Sequence, residues 1–580
     1  MQQNKGRNNI TVLQEVAEDP SLIVDSLATV LSAFKTAELL GRLDKLKSKG
    51  FRMSSLLSSM LLMPFIGHAS IYSMLKFGFM PKEAKAKKDA YYAAINSEDI
   101  NWRSILLQVA KRFKKLVSGD VPEAGKSPTA IVLDDTQLPK TGRKMERISM
   151  TYDHVSKRFV LGFRLLVCCY WDGASLLPLD FSLHRERGRK SEKLISAYKD
   201  SLRCLQQAKA RMAAQEHRLS VKAAAAAKHS GAFAQKASKA NQKRHEQSAK
   251  ALEASDQRLA ELQKSLEEAA ACEASAKQSL RRFYRTGSVF GLSKKERDEQ
   301  FKKAVSVDSH GYTRRKEADL SRTEMVEKML LRAVKNGFVP QYVLSDSWFF
   351  SSSLLKCVKT VKKGSINLIS MVKINNQIFN LPGKTGGMNV KNILKHNLGK
   401  QIRCKSKHAS YIKVRCDYGG IALNLFYVRM GKSDNWHLLA TTDLSLNFIA
   451  VLEIYQIRWG IEVFFRDSKQ YLELGGCMSS NFDAQIASIS LAMVRYTMLS
   501  YCKRVNYQSS LGDLFKSLQK ERLCHNILIQ LLDILWKLVA LFCGSSGFDF
   551  LTIQYDMMRD PQLQQELSAL VGGLKVNNAA

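Results

Sequence analysis

The sequence predicts a mixed α/β protein of several domains, and three patterns indicate this class. Apolar residues at helical spacing dominate both ends of the chain, for example in WRSILLQVAKRFKKL. Short β-branched and aromatic runs bounded by Gly, Pro and Asp, such as PTAIVLDDT and GFVPQYVLSDSWF, predict strands in the middle. A chain of 580 residues exceeds one compact core, so about two to four domains are expected.

The charge of the chain points to an anionic partner. The formal net charge is +36, from 89 Lys and Arg against 53 Asp and Glu. This excess repels itself unless it meets an anion, and nucleic acid is the commonest such partner. No apolar run reaches the length of a membrane span, and the first residues lack the apolar core of a signal peptide. We therefore expect a cytoplasmic protein that binds nucleic acid and does not enter the membrane.

Residues 191–285 form a polar segment that is rich in Ala, Lys, Gln and Glu and has no proline. Leu252, Leu259 and Leu266 recur every seven residues, with Leu262 between them. This spacing predicts a helical hairpin or coiled coil. We expect an insertion that acts as a spacer, a dimer arm or a clamp on DNA ends.

The segment YQIRWGIEVFFRDSK at residues 455–469 carries the main functional signal. On one continuous helix, Tyr455, Arg458, Glu462 and Lys469 share a narrow face, with Arg466 beside it. An ordinary surface helix with salt bridges has the same pattern. The neighbouring sector is apolar and is expected to pack against a sheet: Ile457, Ile461, Phe464 and Phe465.

Two predicted strands end in aspartate. AIVLDD ends in Asp134 and Asp135, and YVLSD ends in Asp346. A buried carboxylate costs several kcal/mol unless it is paired or binds a metal. One aspartate from each strand and Glu462 together supply three carboxylates. These are the hard oxygen ligands that a two-Mg²⁺ phosphoryl-transfer site requires. Successive strand residues face opposite sides, so only one of the two adjacent aspartates can point into such a site.

The spacing of Tyr455, Arg458, Glu462 and Lys469 resembles the Y-(2)-R-(3)-E-(6)-K signature of bacterial insertion-sequence transposases of the DDE type, which move by cut and paste. The strings LDDT and VLSDSWF resemble the contexts of that family's two catalytic aspartates. The resemblance implies a ribonuclease-H-like catalytic core interrupted by a β-rich insertion, with helical regions at both ends.

For single residues, the resemblance implies that Asp134, Asp346 and Glu462 are catalytic and bind two Mg²⁺ ions, with Mn²⁺ as a substitute. Asp135 remains the alternative to Asp134. Trp436 is a candidate for stacking on a flipped base or, equally, a core residue, and Trp348 is expected in the core. The expected DNA-binding residues are Tyr455, Arg458, Arg466, Lys469, Trp436 and Lys140.

The predicted division of the chain alternates helical segments with parts of the core. In order, it comprises a helical N-terminal DNA-binding region (1–125), the first part of the core (126–190), the helical insertion (191–285), the second part of the core (286–354), the β-rich insertion (355–443), the core helix with the third carboxylate (444–480) and a helical C-terminal region suited to dimerisation (481–580).

The function that this reading predicts is DNA transposition in the bacterial cytoplasm, in association with the nucleoid. The protein would bind the terminal inverted repeats of its element, cleave at the ends and join the 3′-OH ends to target DNA, as a homodimer in the synaptic complex. Two alternatives stay open: a metal-dependent nuclease without joining activity, and a DNA-bridging protein that does not cut.

Overall fold

The computed structural model describes residues 26–76, 86–118, 127–153, 156–186, 189–286, 291–383, 386–431, 433–505 and 510–545. The chain divides into two compact units. The core unit comprises Met1–Arg147, Phe163–His184 and Phe301–Ala580. The arm unit comprises Ile148–Gly162 and Arg185–Gln300. The protein is a mixed α/β protein, as the sequence predicts.

The described part of the N-terminal region is helical. Helix α6 begins after Asn101, whose side chain accepts a hydrogen bond from the Ser104 amide at 3.0 Å. Its buried residues follow helical spacing, and Lys114 and Lys115 lie in its last turn. The helices are α1 (Ser26–Ala33), α2 (Thr36–Gly41), α3 (Met53–Leu62), α4 (Ile71–Lys76), α5 (Lys88–Ile95) and α6 (Trp102–Leu116).

A mixed open sheet forms the centre of the core unit. The strands are β1 (Ala130–Pro139), β2 (Ser149–Asp153), β3 (Arg158–Trp171), β4 (Leu176–His184), β5 (Tyr342–Ser345), β6 (Asn367–Val372), β7 (Ile378–Asn380), β8 (Gly387–Asn389), β9 (Ile402–Cys404), β10 (Ala409–Tyr418), β11 (Ile421–Met430) and β12 (His437–Thr441). Their order across the core unit is β4-β3-β1-β5-β6-β12-β11-β10-β7-β8, with β9 paired to β10. Strands β1, β5 and β6 are parallel, whereas β12, β11 and β10 continue the sheet antiparallel.

The arm unit contains an antiparallel pair of long helices, α7 (Arg189–Gln235) and α8 (Lys239–Thr286), followed by α9 (Lys294–Asp298). Less exposed residues recur along both helices at spacings of three and four, which is the seam of a coiled coil. Across this seam, the Gln215 amide donates to the hydroxyl and the carbonyl of Ser255, at 2.9 and 3.0 Å. The heptad prediction is confirmed. In the same unit, β2 pairs antiparallel with the first residues of β3.

The remaining helices belong to the core unit, and most of them pack against its sheet. Helix α16 is buried along most of its length, as expected of a helix that is apolar on most sides. None of the described helices has both the length and the apolarity that crossing a bilayer requires. The helices are α10 (His310–Glu317), α11 (Arg322–Lys335), α12 (Ser352–Thr360), α13 (Val390–Asn397), α14 (Phe448–Gln456), α15 (Trp459–Tyr471), α16 (Phe482–Val505) and α17 (Leu511–Ser545).

A buried ion network joins distant parts of the core unit. The guanidinium of Arg315, on α10, donates to Glu146 at 2.7 and 2.8 Å and to Asp483 at 2.7 and 3.1 Å. All three side chains are less than a tenth exposed. Burial lowers the pKa of Arg315, but the two carboxylates outweigh burial and raise it. The network therefore links α10 to the segment after β1 and to the start of α16.

Replacing Arg315 by Met is expected to lower the free energy of unfolding by about 3–5 kcal/mol, because buried Glu146 loses its counter-charge and buried Asp483 keeps only Lys303, at 3.1 Å. Urea unfolding followed by circular dichroism measures the change. The matched control is Arg42→Met, since Arg42 forms an exposed pair with Glu38 at 3.0 Å. The control is expected to cost less than about 1 kcal/mol. Equal losses in the two variants would contradict the stabilising role of the network.

Candidate active site

The pairing of β1 with β5 brings two aspartates to one edge of the sheet. Leu133 is the register partner of Ser345, and the two strands are parallel. Asp134, inside β1, and Asp346, directly after β5, are the next residues and therefore lie at the same level. Carboxyl ends of parallel strands are a frequent position for ligand sites in α/β proteins.

The environment of Asp134 disfavours its negative charge. Burial raises the pKa of Asp134 to about 7, and the charges of Asp135 and Asp346 add to the shift, although Arg458 opposes it. Asp346 is half-buried, and its carboxylate makes no hydrogen bond or ion pair with any residue that the structure describes. Asp134 and Asp346 repel each other, so a positive charge beside them would be stabilising.

The helix predicted over residues 455–469 is divided in two, so the prediction of one continuous helix is wrong. Ile457 and Arg458 connect α14 to α15 through tighter hydrogen bonds between residues three apart, including the Arg458 amide to the Tyr455 carbonyl at 3.0 Å. The side chain of Arg458 contacts a distant strand, which the local pattern does not encode. Of the predicted apolar sector, three side chains are buried and the first is half-buried: Ile457, Ile461, Phe464 and Phe465.

Arg458 bridges two of the three predicted carboxylates. Its Nη1 lies 2.5 Å from Oδ2 of Asp134, and its Nη2 lies 2.5 Å from Oε1 of Glu462. The guanidinium carbon also lies 5.7 Å from the ring centre of Tyr455. Burial alone would lower the pKa of Arg458, but Tyr455, Asp134 and Glu462 together raise it. Arg458 therefore stays charged and ties α15 to β1.

Tyr455 and Lys469 add two further links between these helices and the sheet. The Tyr455 hydroxyl donates to the Ser345 carbonyl on β5 at 3.4 Å, and burial raises the pKa of this phenol. The ammonium of Lys469 donates to the Thr136 hydroxyl at 2.7 Å and to the Gln137 carbonyl at 3.0 Å on β1. These contacts fix the two helices against the strands that carry the aspartates.

The two adjacent aspartates have different partners. Asp134 pairs with Arg458 beside Glu462, whereas Asp135 pairs with Arg164 at 3.1 Å and with Arg322. Since neighbouring strand residues face opposite sides, this division follows from the pleat. The structure therefore brings Asp134, rather than Asp135, together with Glu462.

Arg466 and Trp436 differ in their exposure to solvent. Arg466 is exposed and pairs with the adjacent Asp467 at 2.9 Å. Trp436 is half-buried and lies beneath the guanidinium of Arg429, 5.2 Å from its ring centre. It precedes β12, whose residue Leu438 pairs with the last residue of β6. Trp436 therefore lies at the same edge of the sheet as the aspartates.

Lys140 is used inside the fold. Its side chain is buried, and its ammonium donates to the carbonyls of Gly475 and Cys477, at 2.6 Å each. Burial lowers its pKa to about 8. The structure does not bring Lys140 to the other predicted DNA-binding residues, and its donors are engaged by the backbone.

Two exposed tryptophans lie next to the predicted site residues in the sequence, and neither was predicted to belong to the site. Trp348 was expected in the core, which is wrong: it is 43% exposed, with the Lys373 ammonium 3.0 Å from its ring centre. Trp459, next to Arg458, is 63% exposed. Exposed tryptophans are uncommon, since burial of the indole is favourable. Each of these tryptophans lies within three residues of a predicted catalytic acid in the sequence. This proximity is the signal from which their position near the site could have been predicted.

The three carboxylates have the donor chemistry of a magnesium site without forming a closed cage. In the described part of the chain, no three His, Cys, Asp or Glu side chains are grouped closely enough to hold a metal ion. Oxygen donors are what Mg²⁺ prefers, and a divalent ion would relieve the repulsion between Asp134 and Asp346. Arg458 occupies one oxygen of each acid, Oδ2 of Asp134 and Oε1 of Glu462, so a metal ion would compete with this guanidinium for both carboxylates.

No protein-family model matches the chain, and no curated protein matches it in sequence. In the described part of the chain, Asp134 and Asp346 lie level on neighbouring parallel segments, and Arg458 bridges Asp134 to Glu462. Exposed tryptophans lie close to these acids in the sequence.

Asp134→Asn is expected to stabilise the protein at pH 8 in EDTA, by a few kcal/mol at most. The folded protein keeps the Asp134 proton up to about pH 7, whereas an unfolded Asp loses it near pH 4. The favourable contribution of this carboxyl is therefore complete below about pH 4 and is lost as pH rises to about 7. Urea unfolding at several pH values measures the gap between variant and wild type.

The control is Asp135→Asn, which removes the acceptor of Arg164 and Arg322 and is expected to destabilise the protein. The interpretation fails if both asparagine variants lose stability equally at pH 8, or if the gap at Asp134 does not shrink in acid.

Proposed function

We propose that the protein is a DNA transposase of the DDE type that binds the terminal inverted repeats of its insertion sequence, cleaves DNA at the ends and joins the 3′-OH ends to target DNA. The observation that carries the proposal is the convergence of Asp134, Asp346 and Glu462. They come from two adjacent parallel strands and one helix, and Arg458 and Tyr455 connect that helix to both strands. Tyr455, Arg458 and Glu462 also belong to the Y-(2)-R-(3)-E-(6)-K pattern, whose last member is Lys469.

The sheet supports a ribonuclease-H-like core as part of this proposal. Strand β1, which carries the first aspartate, is an interior strand of the sheet. Strands β3 and β4 lie on one side of it and the parallel strands β5 and β6 on the other. This order is compatible with such a core. The long insertion of α7 and α8 leaves the pairing of β1 with β5 intact, although more than 200 residues separate their register partners.

In the proposed reaction, Asp134, Asp346 and Glu462 would hold the divalent ions. Mg²⁺, with Mn²⁺ as a substitute, would supply activation of the attacking oxygen and charge stabilisation for in-line phosphoryl transfer. Asp134 would act as a ligand in its ionised form, because a protonated carboxyl is a poor ligand. Arg458 would be free to contact a phosphate oxygen, since its planar donor fork suits carboxylates and phosphates alike.

The surroundings of the carboxylates suit DNA. Arg466 and Trp459 are exposed on α15, and Trp348 is exposed beside Asp346. Cations contact phosphates and tryptophans stack on unpaired bases, so this combination supports a substrate with a frayed end. Trp436 under Arg429 adds a further aromatic ring at the same edge. Joining two ends requires both to be held together, which favours a homodimer in the synaptic complex.

A DNA-bridging protein that does not cut is the second candidate, and one observation favours it. Arg458 already neutralises Asp134 and Glu462 without a metal. A protein that never binds metal would keep this arginine bridge permanently, whereas a transposase would have to open it.

The deciding experiment uses DNA that carries the sequences flanking the protein's own gene. Incubation with Mg²⁺, Mn²⁺ or EDTA is followed by mapping of cut ends and joined products on a gel. We expect metal-dependent cuts at the repeat boundaries, joined products, and a loss of at least about 100-fold in rate for Glu462→Gln.

The matched control is Glu453→Gln, because Glu453 is an exposed acid on α14 that pairs with Lys407 at 2.7 Å. It is expected to cut and join like the wild type. Cuts without joined products would favour a nuclease, and binding without any cut in either metal would favour the bridging protein.

A further inference from the structure

The helical arm separates its charges along its length. We define the tip as residues 219–245, which span the connection from α7 to α8, and the base half as residues 195–217 with 251–273. The base half carries eight acids and six cations. The tip carries no acid and six cations: Lys222, Lys228, Lys236, Lys239, Lys243 and Arg244.

The six cations of the tip are free to bind an external anion. All six side chains are exposed, and none forms an ion pair with any residue in the described part of the chain. Among the described residues, the one hydrogen bond that these six side chains make is long, 3.4 Å from the Lys222 ammonium to the Ala251 carbonyl. Six like charges without counter-charges repel one another, so an anionic partner would relieve this repulsion.

The tip presents these charges on a folded turn. The Asn241 side chain donates to the carbonyls of Ala232 and Lys236, at 3.2 and 2.8 Å. The rings of Phe233 and His245 stack across the seam, 5.7 Å apart and nearly parallel. The cations therefore project from an ordered helical hairpin about 70 Å long, since each residue of a helix adds about 1.5 Å.

We infer that the tip is a second DNA-binding surface, which contacts the phosphates of duplex DNA without reading its sequence. Five of the six cations are lysines, which bind phosphate as point charges rather than through the bidentate geometry that reads bases. A membrane-surface helix would need an apolar face beside its lysines, whereas the less exposed positions here form the seam between the two helices. The inference rests on the proposed DNA partner but not on the proposed chemistry.

The test uses the full-length protein and a labelled duplex of unrelated sequence, with binding measured by fluorescence anisotropy over a range of NaCl concentrations. Changing all six cations of the tip to Gln is expected to weaken binding at least about tenfold. The slope of log affinity against log salt should fall by about 3–5, since each phosphate contact contributes about 0.9.

The control removes the same amount of charge from the base half: Lys199, Arg203, Lys209, Arg211, Arg258 and Lys264, each to Gln. It is expected to change the slope by less than about 1. A third variant, with the five tip lysines changed to Arg, should bind like the wild type, and circular dichroism should give equal helix content in all variants.

An unchanged slope in the tip variant, or equal losses in the tip and base variants, would overturn the inference. So would a tip variant that binds DNA normally but no longer binds vesicles containing anionic lipid. The binding assay does not depend on cleavage, so the two proposals can fail separately. If the wild type cuts and joins DNA but the tip variant binds DNA like the wild type, only the inference about the tip is contradicted. If the wild type never cuts DNA but the tip variant binds weakly, only the transposase proposal is contradicted.

Discussion

The candidate site depends on the ion pairs of Arg458 with Asp134 and Glu462. They lie where α14 passes into α15, and they join this helical segment to the first strand of the sheet. Without this guanidinium, three carboxylates would meet at one edge with no positive charge between them, and burial would protonate at least one. Burial raises the pKa of Asp134 to about 7 even though Arg458 lies beside it.

Two kinds of positive charge can therefore be distinguished in this basic chain. Arg458 and Arg315 are internal and hold carboxylates from distant segments, so their charges are largely cancelled within the fold. The six cations of the arm tip are exposed and form no ion pair with any described residue. Their positive charges therefore do not stabilise the fold by pairing, and they are available to an external anion. In the proposed transposase, the first kind shapes the catalytic edge and the second holds DNA by its backbone.

Several elements could be derived from local patterns. The aspartates at the ends of two apolar runs, the heptad leucines from Leu252 to Leu266 and the apolar sector of α15 each follow from the period of one element. The two errors have a common origin. The break before Trp459 and the exposure of Trp348 depend on contacts with segments far away in the chain.

By itself, the sequence determined which residues could take part: the acids that follow two apolar runs, the spacing around Arg458 and Glu462, and a polar hairpin whose tip carries cations without acids. These properties are local, because period and composition act over a few residues. Only the tertiary structure decided between Asp134 and Asp135, since the choice depends on which side of β1 faces Arg458. It also shows that the Asp346 carboxylate, although strand pairing places it level with Asp134, has no hydrogen bond or ion pair with any described residue.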